Sequence, residues 1–239
     1  MGHADEVAIQ RAYYARTASA YNEMHVREGG EHNLALLLLS ALIEQRRITS
    51  LLDIGSGTGR ALLYLKQRHP DLRLVGIEPS DELRAQGHAA GLTAAELIDG
   101  DATGLAYADN TFDLVCEFGA LHHIRRHHDA TAEMARVARR GVFISDSNNF
   151  GHGSRLARLV KIALHACGLW PLADFVKTRG RGYHMSEGDG LAYSYSAFYA
   201  LPILRPKFPI VHMLSTDGTP SSWLFANAAH IALFAHDGS

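Results

Sequence analysis

The sequence predicts an α/β fold: a mostly parallel β-sheet with helices on both faces. Two patterns carry this. Short apolar runs that read as strands alternate with longer segments whose apolar residues recur at helical spacing. The first such run stops at a loop of alternating glycines, and helical periodicity resumes behind it. The composition agrees with an ordinary globular domain: 239 residues, 47% hydrophobic and 20% charged, which excludes a disordered tail protein.

Tyr14, Ala18, Tyr21 and Met24 recur at helical spacing, and Leu34 to Leu42 is a second apolar stretch, so two helices precede the first strand as a cap over residues 1–48. Ser50 to Ile54 is the first strand, Ala61 to Gln67 a helix broken at His69-Pro70, and Leu72 to Ile77 the second strand. Glu82 to Ala90 reads as a helix, Ala95 to Ile98 as the third strand, Phe112 to Phe118 as the fourth, Ala130 to Arg139 as a helix and Val142 to Ser145 as the fifth strand. Residues 49–150 thus form a core, and residues 151–207 an insertion too long for a simple connection, read as a lid. The lid opens with an amphipathic helix, Arg155 to Cys167, whose apolar face is Leu156, Leu159, Val160, Ala163, Leu164 and Cys167. Residues 208–239 read as an antiparallel hairpin, Pro209 to Ser215 and Ala226 to Ala235.

Several function classes fall away on charge and composition. Lys+Arg 23 against Asp+Glu 25 gives −2, which argues against a nucleic-acid partner. Cys116 and Cys167 make neither a disulfide framework nor a zinc array. Charges run through the first residues and no apolar run is long enough to span a membrane, so the expectation is a cytoplasmic protein. The 15 histidines are dispersed.

Gly55, Gly57 and Gly59 follow the first strand directly, where backbone N–H groups can lie against a ligand. The spacing GxGxG differs from the GxGxxG of a dinucleotide loop, and Asp53 beside it would repel a diphosphate while suiting a cationic amino-acid group. Glu78 ends the second strand, where a carboxylate can accept hydrogen bonds from both ribose hydroxyls, so the expected ligand is a nucleoside without phosphates. Asp101, after the third strand, is either a partner for the adenine amine or a turn aspartate.

Taken in order, Asp53-Ile54-Gly55-Ser56-Gly57-Thr58-Gly59, Glu78, Asp101-Ala102 and Phe112-Asp113-Leu114-Val115 followed by Ala120-Leu121-His122-His123-Ile124 resemble the class I S-adenosylmethionine-dependent methyltransferases, in particular the small-molecule subgroup called type 11. The resemblance runs from about Tyr13 to Asp146 and returns in the C-terminal hairpin. It implies a Rossmann-like, seven-stranded, mostly parallel sheet with an antiparallel C-terminal hairpin, an N-terminal helical cap and a lid after the fifth strand. It also implies S-adenosylmethionine as cofactor. The cofactor would be held by Asp53, the three loop glycines, Glu78 with Pro79, Asp101 with Ala102, and Glu117 at its methionyl end. Tyr13 or Tyr21 would close over it, unless these rings only pack the cap.

Methyl transfer is an in-line displacement, so alignment and exclusion of water matter most; an aliphatic hydroxyl acceptor also needs a general base. His122 and His123 follow the fourth strand and Asp146 ends the fifth, so all three project from carboxyl ends of adjacent strands, where open α/β sheets bind ligands. Related glycoside O-methyltransferases carry a His pair and an Asp at matching positions in the role of base. The alternative is that each histidine only holds its loop; His25, His152 and His184 are then the reserve candidates. Asp146, Asn148, Asn149 and Glu117 give an incomplete ligand set for a divalent cation, so no metal is expected.

The lid holds eight basic and three acidic residues, +5 against −7 for the remainder. That asymmetry can steer an anionic acceptor, rest on a membrane surface or simply solvate a helix. Residues 186–196 interleave Ser186, Ser194 and Ser196 with Tyr193 and Tyr195, which suits a sugar. The expected reaction is O-methylation of a hydroxyl on a glycan, glycoside or other small metabolite. The alternatives are N- or C-methylation of a small metabolite and a cofactor-binding module without catalysis. Nothing in the sequence specifies an oligomer.

Overall fold

The structure, a computed structural model, describes residues 9–10, 12–13, 31–186, 190–219 and 222–238. Helix α1 (Glu31–Arg46) leads into β1 (Ser50–Ile54), which is buried along its whole length, as a strand covered on both faces must be. Then follow α2 (Arg60–Arg68), β2 (Arg73–Ile77), α3 (Asp81–Ala89), the two-residue β3 (Leu97–Ile98), β4 (Phe112–Phe118), α4 (His127–Val137) and β5 (Ala138–Ser147). Ser80 starts α3 by accepting from the Leu83 N–H at 3.4 Å, an N-cap that satisfies one of the helix's open donors.

After β5 come α5 (Arg155–Ala166) and α6 (Trp170–Lys177), a small hairpin of β6 (His184–Ser186) and β7 (Gly190–Ala192), and the four-residue α7 (Leu201–Leu204). β8 (Ile210–Ser215), the short α8 (Leu224–Asn227) and β9 (His230–His236) complete the chain. The expected strand from Ala226 therefore starts four residues later, because residues 224–227 close a helical turn first. The other predicted elements among the described residues recur with shifted ends, most at β5, which begins at Ala138. In contrast, α6, the β6–β7 hairpin and α7 have no counterpart in the sequence reading, and the first cap helix lies largely outside the described residues.

The sheet has seven strands in the order β3-β2-β1-β4-β5-β9-β8. The first five are parallel; β9 inserts antiparallel between β5 and β8. One face packs Leu52, Ile54, Val115 and Ile144 against Met134 of α4 and Leu204 of α7. The other packs Leu51, Leu114 and Phe143 against Leu36 and Leu39 of α1 and Leu62 of α2. The order reverses between β1 and β4, so the loops leaving these two strands diverge and open a crevice at their carboxyl ends. The glycine loop and the segment carrying His122 are those two loops.

Candidate active site

Gly55, Gly57 and Gly59 all adopt left-handed φ, at 65°, 57° and 74°, which side chains rarely tolerate. Their bareness serves the protein as well as a ligand. A Cβ on Gly55 would stand 2.5 Å from that of Ala120, so the absent side chain lets the loop after β1 close on the loop after β4. Gly57 donates its N–H to Glu78 Oε2 at 3.0 Å, and Ser80 donates to Oε1 at 2.9 Å.

Three carboxyl groups line the carboxyl ends of β1, β2 and β4. Asp53 is 2% exposed, and burial raises it to about 7 despite bonds from Ser56 and Cys116. Glu78 is likewise raised to about 7 by burial, against its two backbone donors. Burial and the neighbouring Asp146 push Glu117 well above the carboxylate range. Glu117 Oε2 accepts from Ala120 N–H at 2.8 Å, whereas its buried Oε1 has no partner. A glycine cradle, two carboxyls whose desolvation outweighs the attraction of Arg60 and Arg84, and an orphaned carboxyl oxygen fit a ligand that carries ammonium, sulfonium and hydroxyl groups. They do not fit a polyphosphate.

Asp146 is wholly buried. His122 Nδ1 lies 2.7 Å from Asp146 Oδ1, and the His122 N–H donates to Oδ2 at 3.2 Å, so the carboxylate grips one residue twice. Burial by itself would raise Asp146; His122, the Ser147 N–H and His230 hold it below the ordinary range instead. The acceptor on Asp146 assigns the proton of a neutral His122 ring to Nδ1 and its basic lone pair to Nε2.

His123 is placed differently. Its Nδ1 meets the Leu191 carbonyl of β7 at 2.6 Å, and Tyr193 N–H donates to the His122 carbonyl at 2.8 Å. These two bonds tie the turn after β4 to the lid. The sequence does not separate the histidines; the structure gives one to a carboxylate and the other to the lid backbone.

Several residues around Asp146 have no sequence signal. His230 of β9 lies opposite Ser147 in the ladder and 4.7 Å, ring to ring, from His32 of α1. Burial depresses His32 to about 3 and His230 to about 4, so both are neutral imidazoles. His127 is depressed by burial to about 4 and stacks edge-on with Tyr195, whose buried hydroxyl has no hydrogen-bond partner. Only the register of β9 against β5 brings His230 here, so a linear reading has no route to it.

The remaining expected residues differ in exposure and partners. Asp101 is exposed and accepts from Thr103 N–H and Oγ1, both at 2.8 Å, which is the turn-aspartate arrangement. Ala102 is buried and Pro79 half-buried. Tyr13 is buried, its ring so close to Gly190 that a Cβ there would sit 2.8 Å from Cδ1, and thus packs on the lid hairpin. Tyr21 and His25 lie outside the described residues. His152 is exposed and His184 is on β6. Tyr195 is 2% exposed, which removes it as a stacking surface. Among the described residues no group of His, Cys, Asp and Glu is arranged to hold a metal. The side chain of Asn148 is taken up by the Phe225 and Ala228 carbonyls and the Ser196 hydroxyl.

Beside the His122 turn, Arg125, His127, Phe175, Arg181, Tyr193 and Ser194 line an open cavity of about 490 Å³, large enough for a small molecule. Among the described residues no helix is long and apolar enough to cross a membrane.

Residues 52–145 match the family described as a methyltransferase domain. A ubiquinone/menaquinone biosynthesis C-methyltransferase of Paracoccus denitrificans is 29% identical over 143 residues, 57% of each chain. Ajmaline N-methyltransferase of Rauvolfia serpentina is 34% identical over 105 residues, 42% of this chain and 36% of that one. The chain thus spans little more than half the length of the curated relatives it matches. Magnesium protoporphyrin IX methyltransferase of Synechocystis PCC 6803, solved with bound SAH, shares the fold at a TM-score of 0.60 and 15% identity, over 97% of this chain and 100% of that one. With its motifs on the loops after β1 and β4, the chain carries a segment, residues 52–145, that matches the methyltransferase-domain family and is similar in sequence to methyltransferases.

Proposed function

We propose that this protein transfers a methyl group from S-adenosylmethionine to a hydroxyl of a small molecule, with His122 as general base and Asp146 as its orienting partner. The observation that supports the base most directly is the double grip of Asp146 on His122, through ring and backbone. Asp53, Glu78, Glu117 and the loop glycines would hold the cofactor, which supplies a methyl group on a sulfonium.

His122 Nε2 takes the acceptor's proton as the new bond forms, and buried Asp146 stabilises the imidazolium that results. Neutral His32, His230 and His127 pack round the pair without adding charge, which keeps the proton's destination on one ring. The lid covers this end of the sheet and limits water. The guanidinium groups of Arg125 and Arg181 at the cavity suit an acceptor with an anionic or electron-rich part. With Tyr195 buried, the cavity keeps the rings of Tyr193, beneath Arg125 at 5.7 Å, and Phe175, and its size suits a compact hydroxylated molecule better than an extended glycan.

Carbon methylation is the second reading, favoured by the names of the relatives matched over 57% of the chain; it also uses a base. Assays with hydroxyl, amine and carbon acceptors matched in size distinguish the two. Turnover on an amine panel alone would remove the need for His122 and overturn the proposal.

A further inference from the structure

Helix α5 turns an apolar face to solvent. Leu156, Leu159, Val160 and Ala163 recur at the spacing of one helical face, and all four are exposed, Leu156 at 72%. The half-buried positions are Arg158, Lys161, Ile162 and Leu164, so polar chains share the inward side. Arg158 donates to the Asn227 carbonyl at 3.2 Å, Lys161 to the carbonyls of Asn149 and His152, and His165 packs 4.8 Å from the Phe150 ring. None of the helix is buried.

Its neighbour α6 repeats the arrangement, with Leu172, Phe175 and Val176 exposed at 58–68%. Leu169, in the turn between them, is 49% exposed. Exposed apolar chains on two adjoining helices, rimmed by polar residues, are the feature that marks an interaction surface. Among the described residues the charges beside the patch are mostly basic. Arg155, Lys177, Arg179 and Arg181 are exposed, while Asp174, the only acidic residue from 152 to 186, accepts a hydrogen bond from Ser194.

We infer that the α5–α6 face docks on an anionic lipid bilayer, the apolar chains entering the headgroup–acyl boundary and the cations meeting lipid phosphates. Apolar side chains among which the described neighbouring charges are mostly basic have the chemistry of an interfacial anchor, in which burial and headgroup attraction act together. A second copy of the chain is a poorer occupant, because a twofold contact through this patch would set its cations against their like. Phe175 belongs both to the patch and to the cavity wall, so docking would bring the cavity mouth to the lipid surface. The inference does not depend on the methyltransferase reading.

Co-sedimentation of the full chain with vesicles tests it, using phosphatidylcholine alone and phosphatidylcholine with 30% phosphatidylglycerol as an order-of-magnitude anionic load. Binding at least about 10-fold tighter to the anionic vesicles, weakened by salt, is expected. Lys177→Gln with Arg179→Gln should weaken it by about 5-fold per cation. Leu159→Ser with Val176→Ser should reduce it by at least about 10-fold, with an unchanged melting temperature showing that the fold survives. Three outcomes would overturn the inference: no binding to anionic vesicles, equal binding by wild type and the Ser variant, or a lipid-free dimer that the Ser variant dissociates, which would assign the face to a second copy.

Discussion

His122 and Asp146 show how much depends on one contact. Asp146 presents an acceptor to Nδ1, so an amide there can present its NH₂ instead and favour the wrong tautomer. Replacing His122 by Ala should lower kcat by about 10²–10⁴-fold with cofactor affinity nearly unchanged, since the ring would act only on the acceptor's proton. Asp146→Asn should fall in the same range. Steady-state kinetics with calorimetric titration of the cofactor check both, and a variant with near-native turnover would remove the dyad from the mechanism.

Asp53 and Glu78 lead to a second expectation at this scale. Both are raised to about 7 by burial, so below neutrality they are largely protonated and cannot balance a cationic ligand. Cofactor affinity should rise as pH increases from 5 toward 7.5, and binding at pH 6.5 should release protons. Folding linkage has the opposite sign: a carboxyl with a raised folded pKa favours the folded state below its unfolded value and loses that contribution as pH passes 7. Ligand-induced gain in melting temperature should therefore be larger at pH 7.5 than at pH 5.5, and a flat profile would show that neither group meets the ligand's charge.

At the scale of elements, Lys207 joins the end of the lid to the end of α4. Its ammonium donates to the Ala135, Arg136 and Ala138 carbonyls and to Asn110 Oδ1 at 2.6–3.3 Å, where a helix C-terminus gathers negative potential. Lys207→Met should cost about 1–3 kcal/mol in urea unfolding, because several acceptors lose a charged donor. Lys161 and Arg158 are used in the same way. The lid's +5 is therefore partly structural: four of its eight cations, Arg158, Lys161, Arg181 and Lys207, donate to backbone carbonyls, which weakens the expectation that the whole charge steers an acceptor.

For the whole molecule, the two halves of the proposed reaction occupy different parts of the topology. The proposed cofactor groups lie at the ends of β1, β2 and β4, and the cavity proposed for the acceptor is lined by the segment after β4 together with the insertion between β5 and β8. Tyr193→Ala should therefore raise the acceptor KM by roughly 10-fold while leaving the cofactor Kd unchanged, as expected for a group that contacts only one ligand. Equal changes in both constants would show that the lid also forms the cofactor site.

The order of strands and helices from α1 to α5, the antiparallel C-terminal pair, the glycine loop and the carboxylates at strand ends were legible in the sequence, because each depends on local spacing: period 2 or 3.6, and glycine where φ is positive. The positions of His122 and Asp146 at the ends of β4 and β5 were legible for the same reason. Their contact was decided by tertiary structure, since it depends on the pairing of β4 with β5. So were the inclusion of His230, which requires the antiparallel register of β9, the attachment of His123 to the lid, and the outward turn of the apolar face of α5. A helical period shows which residues share a face; only the neighbours of that face decide whether it meets the core or water.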